Sequence, residues 1–140
     1  MNDFNNSDVE IVCRELLNSF QGVLSWKWDR RFETVLAEFG VESKENIRAT
    51  LERSLGNIWD SSNVGNAPDR VRTIDSHLGG LWPGQLLFTS DLDHEALVFC
   101  TWWPWGDGKA ISIRIGLSDN QGSDSERAEQ IQSFKSWFGI

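Results

Sequence analysis

The sequence has 140 residues, with eight Trp, no Tyr, and 13 Lys and Arg against 21 Asp and Glu for a net charge of −8. A hydrophobic fraction of 39% with 24% charged residues excludes a disordered chain, and the length suits one core. The negative balance argues against nucleic acid or anionic lipid as partner, and no apolar run approaches the ~20 residues that span a bilayer.

The spacing predicts a first helix after a capping box at Ser7 and Glu10, with Val9, Val12, Cys13, Leu16, Leu17 and Phe20 on one face and Gly22 beyond its end. Leu24, Trp26 and Trp28 alternate with Ser25 and Lys27, which reads as a linker in preference to a short strand. Asp29 is placed to cap a second helix bearing Phe32, Val35, Leu36 and Phe39, with Gly40 as its left-handed end and Val41 packing back on Leu36. Ser43 is placed to cap a third, with Ile47, Leu51, Leu55 and Ile58 inward, and the short connection makes the two an antiparallel helical hairpin. Residues 60–69 read as a loop, followed by a short helix from Pro68 or Asp69 carrying Val71, Ile74 and Leu78, with a strand as the competing reading.

From residue 81 the period changes from helical to alternating. Gln85–Ser90, the doubly apolar run 96–103 and the alternating Ile111, Ile113, Ile115 and Leu117 predict three strands joined by short turns, an antiparallel meander. Asp119 to Gly122 breaks the chain, and a second capping box at Ser123 and Glu126 opens a last helix with Ala128, Ile131, Phe134 and Phe138 inward. The expected fold is α+β in a single domain over 1–140: three or four helices over about 7–80, the meander over about 85–118 and the C-terminal helix over about 124–138.

Cys13 and Cys100 stand far apart at apolar-periodic positions, so two buried, reduced thiols are expected rather than a disulfide or a zinc site. Reduced thiols and the polar opening MNDFNNSD, which lacks a signal peptide's basic and apolar regions, suit a cytoplasmic protein. Asp75, His77 and Cys100 fail as a nucleophile triad because Cys100 lies inside the most apolar strand. Asp91, Asp93, His94 and Glu95 carry oxygen and imidazole ligands within one turn, yet turn composition alone explains them. Gly106-Asp107-Gly108-Lys109 is a hairpin tip that opens no helix, which sets it apart from a phosphate loop. No cofactor, metal or catalytic residue is expected.

The tryptophans are the anomaly. Trp102, Trp103 and Trp105 surround Pro104, and Trp82 precedes Pro83-Gly84. Alternation sends Trp102 and Trp103 to opposite faces, with Trp102 assigned to the core and Trp105 divided evenly between core and contact surface. Between Arg72 and Lys109 there is no Lys or Arg, while Asp75, Asp91, Asp93, Glu95 and Asp107 all fall there. Acidic turns around aromatic anchors suit a basic protein partner, although the turns at Asp91–Glu95 and Asp107 fall at opposite ends of the central strand. The expectation is a non-enzymatic protein-binding inhibitor, such as the immunity protein of a bacterial toxin. Its contact set would be Asp75, Trp82, Asp91, Asp93, Glu95, Trp103, Trp105 and Asp107, and its basic partner a toxin domain or nuclease. The alternatives are a ligand- or carbohydrate-binding module using the Trp cluster, and a small metal-dependent enzyme centred on Asp91–Glu95.

Overall fold

In a computed structural model, which describes residues 7–94, 96–118 and 123–140, the chain begins and ends in a helix and interleaves two further helices with the strands. It runs α1 (Ser7–Ser19), β1 (Lys27–Asp29), β2 (Thr34–Gly40), α2 (Lys44–Ser54), β3 (Asn57–Trp59), α3 (Asp69–His77), β4 (Leu86–Thr89), β5 (Leu97–Pro104), β6 (Ala110–Ser118) and α4 (Asp124–Trp137). The class is α+β. The sheet is larger than the three-stranded meander expected: six strands in the order β1-β2-β6-β5-β4-β3, every neighbouring pair antiparallel. The meander is its centre, β1 and β2 extend it beyond β6, and β3 extends it beyond β4.

The stretch expected to be helical over 7–80 therefore holds three strands. Residues 29–39 are not a helix capped by Asp29, and they make no helical hairpin with α2. They form the turn after β1 and then β2. Phe32, Val35, Leu36 and Phe39 fit a helical period, but Val35, Ala37 and Phe39 fit a period of two equally well. The decision is tertiary: Val35, Ala37 and Phe39 stand opposite Ile115, Ile113 and Ile111 of β6, a match available only to an extended chain. Gly40 accordingly has φ −75°, not a left-handed value. Lys27–Asp29 is a strand rather than linker, and Ile58 belongs to β3 rather than to the end of α2.

The other helices follow the spacing. Val9, Cys13, Leu16 and Phe20 are buried in or just after α1, as are Ile47 and Leu51 in α2 and Val71 and Ile74 in α3. The Ser7 side chain, expected to cap α1, lies outside the described side chains, and Ser43 makes no capping bond to α2. At α4 the capping box is closed, with Glu126 N donating to Ser123 Oγ and Ser123 N to Glu126 Oε1, both at 3.2 Å. Ala128 is exposed, and Gln130 and Trp137 are buried instead. The break at Asp119–Gly122 lies outside the described residues.

Alternation along the strands gives the sheet two unlike faces. One carries Val35, Ala37, Phe88, Val98, Cys100, Trp102, Ile111, Ile113, Ile115 and Leu117, packed under α1, α2 and α4. The second face is covered only in part: α3 and the turn before it cover Leu87, Leu97 and Phe99 with Val64, Ala67, Val71 and Ile74. Among the described residues no helix lies over that face toward β6, β2 and β1. Gly116 of β6 lies there because a Cβ would stand 2.6 Å from Phe99 Cζ and 2.8 Å from Thr34 Cγ2. Ile113 is fully buried between Ala37 and Trp102 on the covered face. Ile113→Asp is expected to cost about 3–5 kcal/mol in urea unfolding, since it strands a charge inside the core; a parental midpoint would show that this face is not the core.

Candidate functional site

The uncovered half of the second face is built from cross-strand rows. One row runs Lys27, Leu36, Arg114, Thr101, and the next Glu38, Ser112, Trp103. Arg114 is the one charged residue within the apolar alternation of β6, and it is mostly buried, with its side chain 18% exposed. Its Nε donates to Asp29 Oδ2 at 2.7 Å, across β2, from a carboxylate itself only 13% exposed. Its guanidinium stands 4.5 Å from the Trp103 ring centroid and 5.6 Å from that of Phe32. Phe32, on the β1–β2 turn, folds down edge-on to Trp103 at 5.7 Å and reaches His77 of α3 at 6.3 Å. Each contact is modest in water, but an ion pair and two ring faces around one desolvated guanidinium make a rigid cluster.

Next to it the Trp105 indole is drawn onto the same face. Its Nε1 donates to Ser112 Oγ at 2.8 Å, and that hydroxyl donates on to Glu38 Oε2 at 3.4 Å. Trp105 nevertheless remains 44% exposed. One strand over, the turn into β4 presents Trp82, 70% exposed, with its backbone N bonded to Gln85 Oε1 and its carbonyl to Gln85 N. Gly84, at φ +90°, supplies the left-handed residue that this tight turn requires. Leu86 pairs with Trp102, so Trp82, Trp103 and the 105–109 hairpin all lie at one end of the sheet. Asp107 is in that hairpin tip, its Oδ1 accepting from Lys109 N at 2.9 Å.

The remaining expected contact residues lie elsewhere. Asp91 and Asp93 occupy the turn at the far end of β5, where Asp91 Oδ1 accepts from Asp93 N at 3.0 Å. Arg70 of α3 holds that turn through the carbonyls of Leu92 and His94. Glu95 lies outside the described residues, and among those described no three His, Cys, Asp or Glu gather as metal ligands. Asp75 is half-buried, and its carboxyl is raised above the usual range by desolvation, partly offset by a bond from the Leu81 backbone. Asp75, His77 and Cys100 cannot act together, because α3 and Cys100 lie on opposite faces of the sheet. Cys13 and Cys100 are free and buried, and burial drives both thiols far above their ordinary range, with the charge of Glu10 adding for Cys13.

Of the expected contact set, the structure brings Trp82, Trp103, Trp105 and Asp107 to one end of the sheet, beside Lys27, Phe32, Leu36, Glu38 and Arg114, which the sequence reading did not single out. A lone Arg inside an otherwise apolar alternation was the available signal for the last. Searched against protein-family models, curated proteins and solved structures, the chain matches none of them.

Arg114→Met is expected to destabilise the protein by about 2–4 kcal/mol, since it leaves the Asp29 carboxylate desolvated without its cation. Adding Asp29→Asn should restore much of that loss. A double-mutant cycle in urea giving strictly additive losses would show that the two side chains do not act as a pair.

Proposed function

We propose that the chain is an acidic, non-enzymatic protein-binding inhibitor, of the kind represented by the immunity protein of a bacterial toxin, and that it takes a basic partner protein on the aromatic end of its sheet. The observation that carries this reading is the pair of exposed indoles, Trp82 and Trp105, held in place at that end. Solvent-exposed Trp at such exposure leaves a large apolar surface in water, and Trp is the residue most enriched among interface hot spots. Fixing a ring beforehand matters for affinity: the Trp105 indole, already tied to Ser112, loses little freedom on binding, while the Trp82 turn fixes only the backbone that carries its ring. The uncovered cluster beside them, with Leu36, Trp103 and Arg114 flanked by Glu38, supplies the mixed apolar and polar floor of an interface.

Charge provides the steering. The excess of 21 acidic over 13 basic residues attracts a cationic protein from a distance, while Asp107 and Glu38 lie where contact would occur. Asp91 and Asp93 are separated from that end by the eight residues of β5. That is about 25 Å of strand, beyond a Debye length of about 8 Å at physiological salt. Their part is confined to the general field.

Capture from an extract of the host cells, followed by mass spectrometry, is expected to yield a basic protein. Against that partner, Trp82→Ala and Trp105→Ala should each speed dissociation by an amount worth about 2–4 kcal/mol with little salt dependence. Asp107→Lys should slow association in a salt-sensitive way, and by more than Asp91→Lys or Asp93→Lys. Folded Trp variants with parental dissociation rates would remove the aromatic end from the reading, and an acidic partner would remove the steering.

A further inference from the structure

Nearer the other end of the same sheet face, α3, the β1–β2 turn and α4 leave between them a cleft of about 200 Å³ whose lining includes Phe32, Glu33, Ile74, Phe99, Ser118 and Arg127. From the size, lining and charge of this cleft we infer a binding site for a small monocarboxylate with an apolar body of about one ring. That space is enough for a body of about one ring, since a cavity of about 150 Å³ accommodates benzene. Phe32, Ile74 and Phe99 supply apolar surface from three different elements. The Phe99 ring can lie close against the sheet only because Gly116 has no Cβ, which would otherwise stand 2.6 Å from its Cζ.

The cation is Arg127, in the second turn of α4. Its Nη1 donates to Leu117 O at 3.0 Å and to the buried Gln130 Oε1 at 2.8 Å, which pins the guanidinium at one corner. Arginine has five N–H donors, and these two bonds use only the Nη1 pair. Among the described residues Nη2 has just a loose ionic contact, 3.9 Å from Glu33 Oε1. The guanidinium is thus preset, charged and incompletely bonded at the rim of an apolar cleft, which is the arrangement a carboxylate exploits through charge-assisted hydrogen bonds. The hydroxyl of Ser118, the residue after the carbonyl that holds Nη1, lines the same wall and can donate to the second carboxylate oxygen.

Glu33 is the apparent objection, a carboxylate already beside that cation. Its contact is too long for a hydrogen bond, its side chain is half exposed, and its backbone is the one described non-glycine position with positive φ, at 57°. A left-handed non-glycine residue costs free energy, and such residues concentrate at ligand sites. Glu33 acts here as a weak internal competitor, occupying the cation until a better-placed carboxylate displaces it into solvent.

The test is titration of the isotopically labelled protein, followed by NMR, with benzoate, phenylacetate and hexanoate against benzamide and hexanamide. Benzoate is expected to give saturable shifts at Thr73, His77, Phe99 and Ser118, in the millimolar range or tighter, with benzamide at least about tenfold weaker. Arg127→Gln should weaken benzoate by about tenfold or more. Glu33→Gln should do the opposite and tighten it several-fold, an effect that loss of folding cannot imitate. No saturable shift up to about 20 mM, equal binding of acid and amide, or unchanged affinity in Glu33→Gln would each overturn the inference. Failure here leaves the partner surface at Trp82 and Trp105 untouched, because neither indole lines the cleft.

Discussion

Arg114 stands inside a sheet face with its guanidinium 2.7 Å from Asp29 and between the rings of Trp103 and Phe32. A buried cation is costly unless it is paired, and its pairing here reaches across three strands, from β6 over β2 to β1. That requirement orders much of the second face. It brings the three-residue edge strand β1 into register and folds the β1–β2 turn inward at Phe32. It also leaves the following residue, Glu33, in a left-handed backbone beside Arg127. Both the aromatic surface at one end and the cleft at the other border on this cluster. The covered face needs no such device, because hydrophobic burial under α1, α2 and α4 suffices.

The two faces therefore do different work with the same strands. β5 gives Cys100 and Trp102 to the core and Thr101 and Trp103 to the second face, so adjacent tryptophans have unlike fates. Among the described residues α3 and the turn before it lie over that second face, and their contacts with Phe99, Leu87 and Leu97 stop short of β6. A sheet half-covered on one side leaves Glu38 and the Trp105 indole accessible beside the largely buried Arg114 and Ser112.

The central meander, α1 and α4 were legible because their patterns admit one period only: Ile111 to Leu117 alternates and cannot be a helix, and Val9 to Phe20 repeats every three or four residues, whereas Val71, Ile74 and Leu78 left a strand as the competing reading for α3. The segment 29–40 was not, because Phe32, Val35, Leu36 and Phe39 satisfy both periods. The choice lies in β6, 70 or more residues away, which local spacing does not register. β1 and β3 have three residues each, too few for any period to show. The same misreading hid half of the candidate site, since Phe32, Leu36 and Glu38 belong to that segment. Trp82 and Trp105 were found by composition alone, and their shared end of the sheet follows from the meander register.

Fluorine NMR of protein carrying 5-fluorotryptophan, with a paramagnetic cosolute added, observes all eight indoles at once. In the free protein, Trp82 should be broadened most, Trp105 next, and Trp102 hardly at all. With the partner bound, Trp82 and Trp105 should both become protected while the buried indoles keep their signals. Protection of Trp105 already in the free protein, or continued broadening of Trp82 and Trp105 in the complex, would contradict the claim that this end of the sheet is the contact surface.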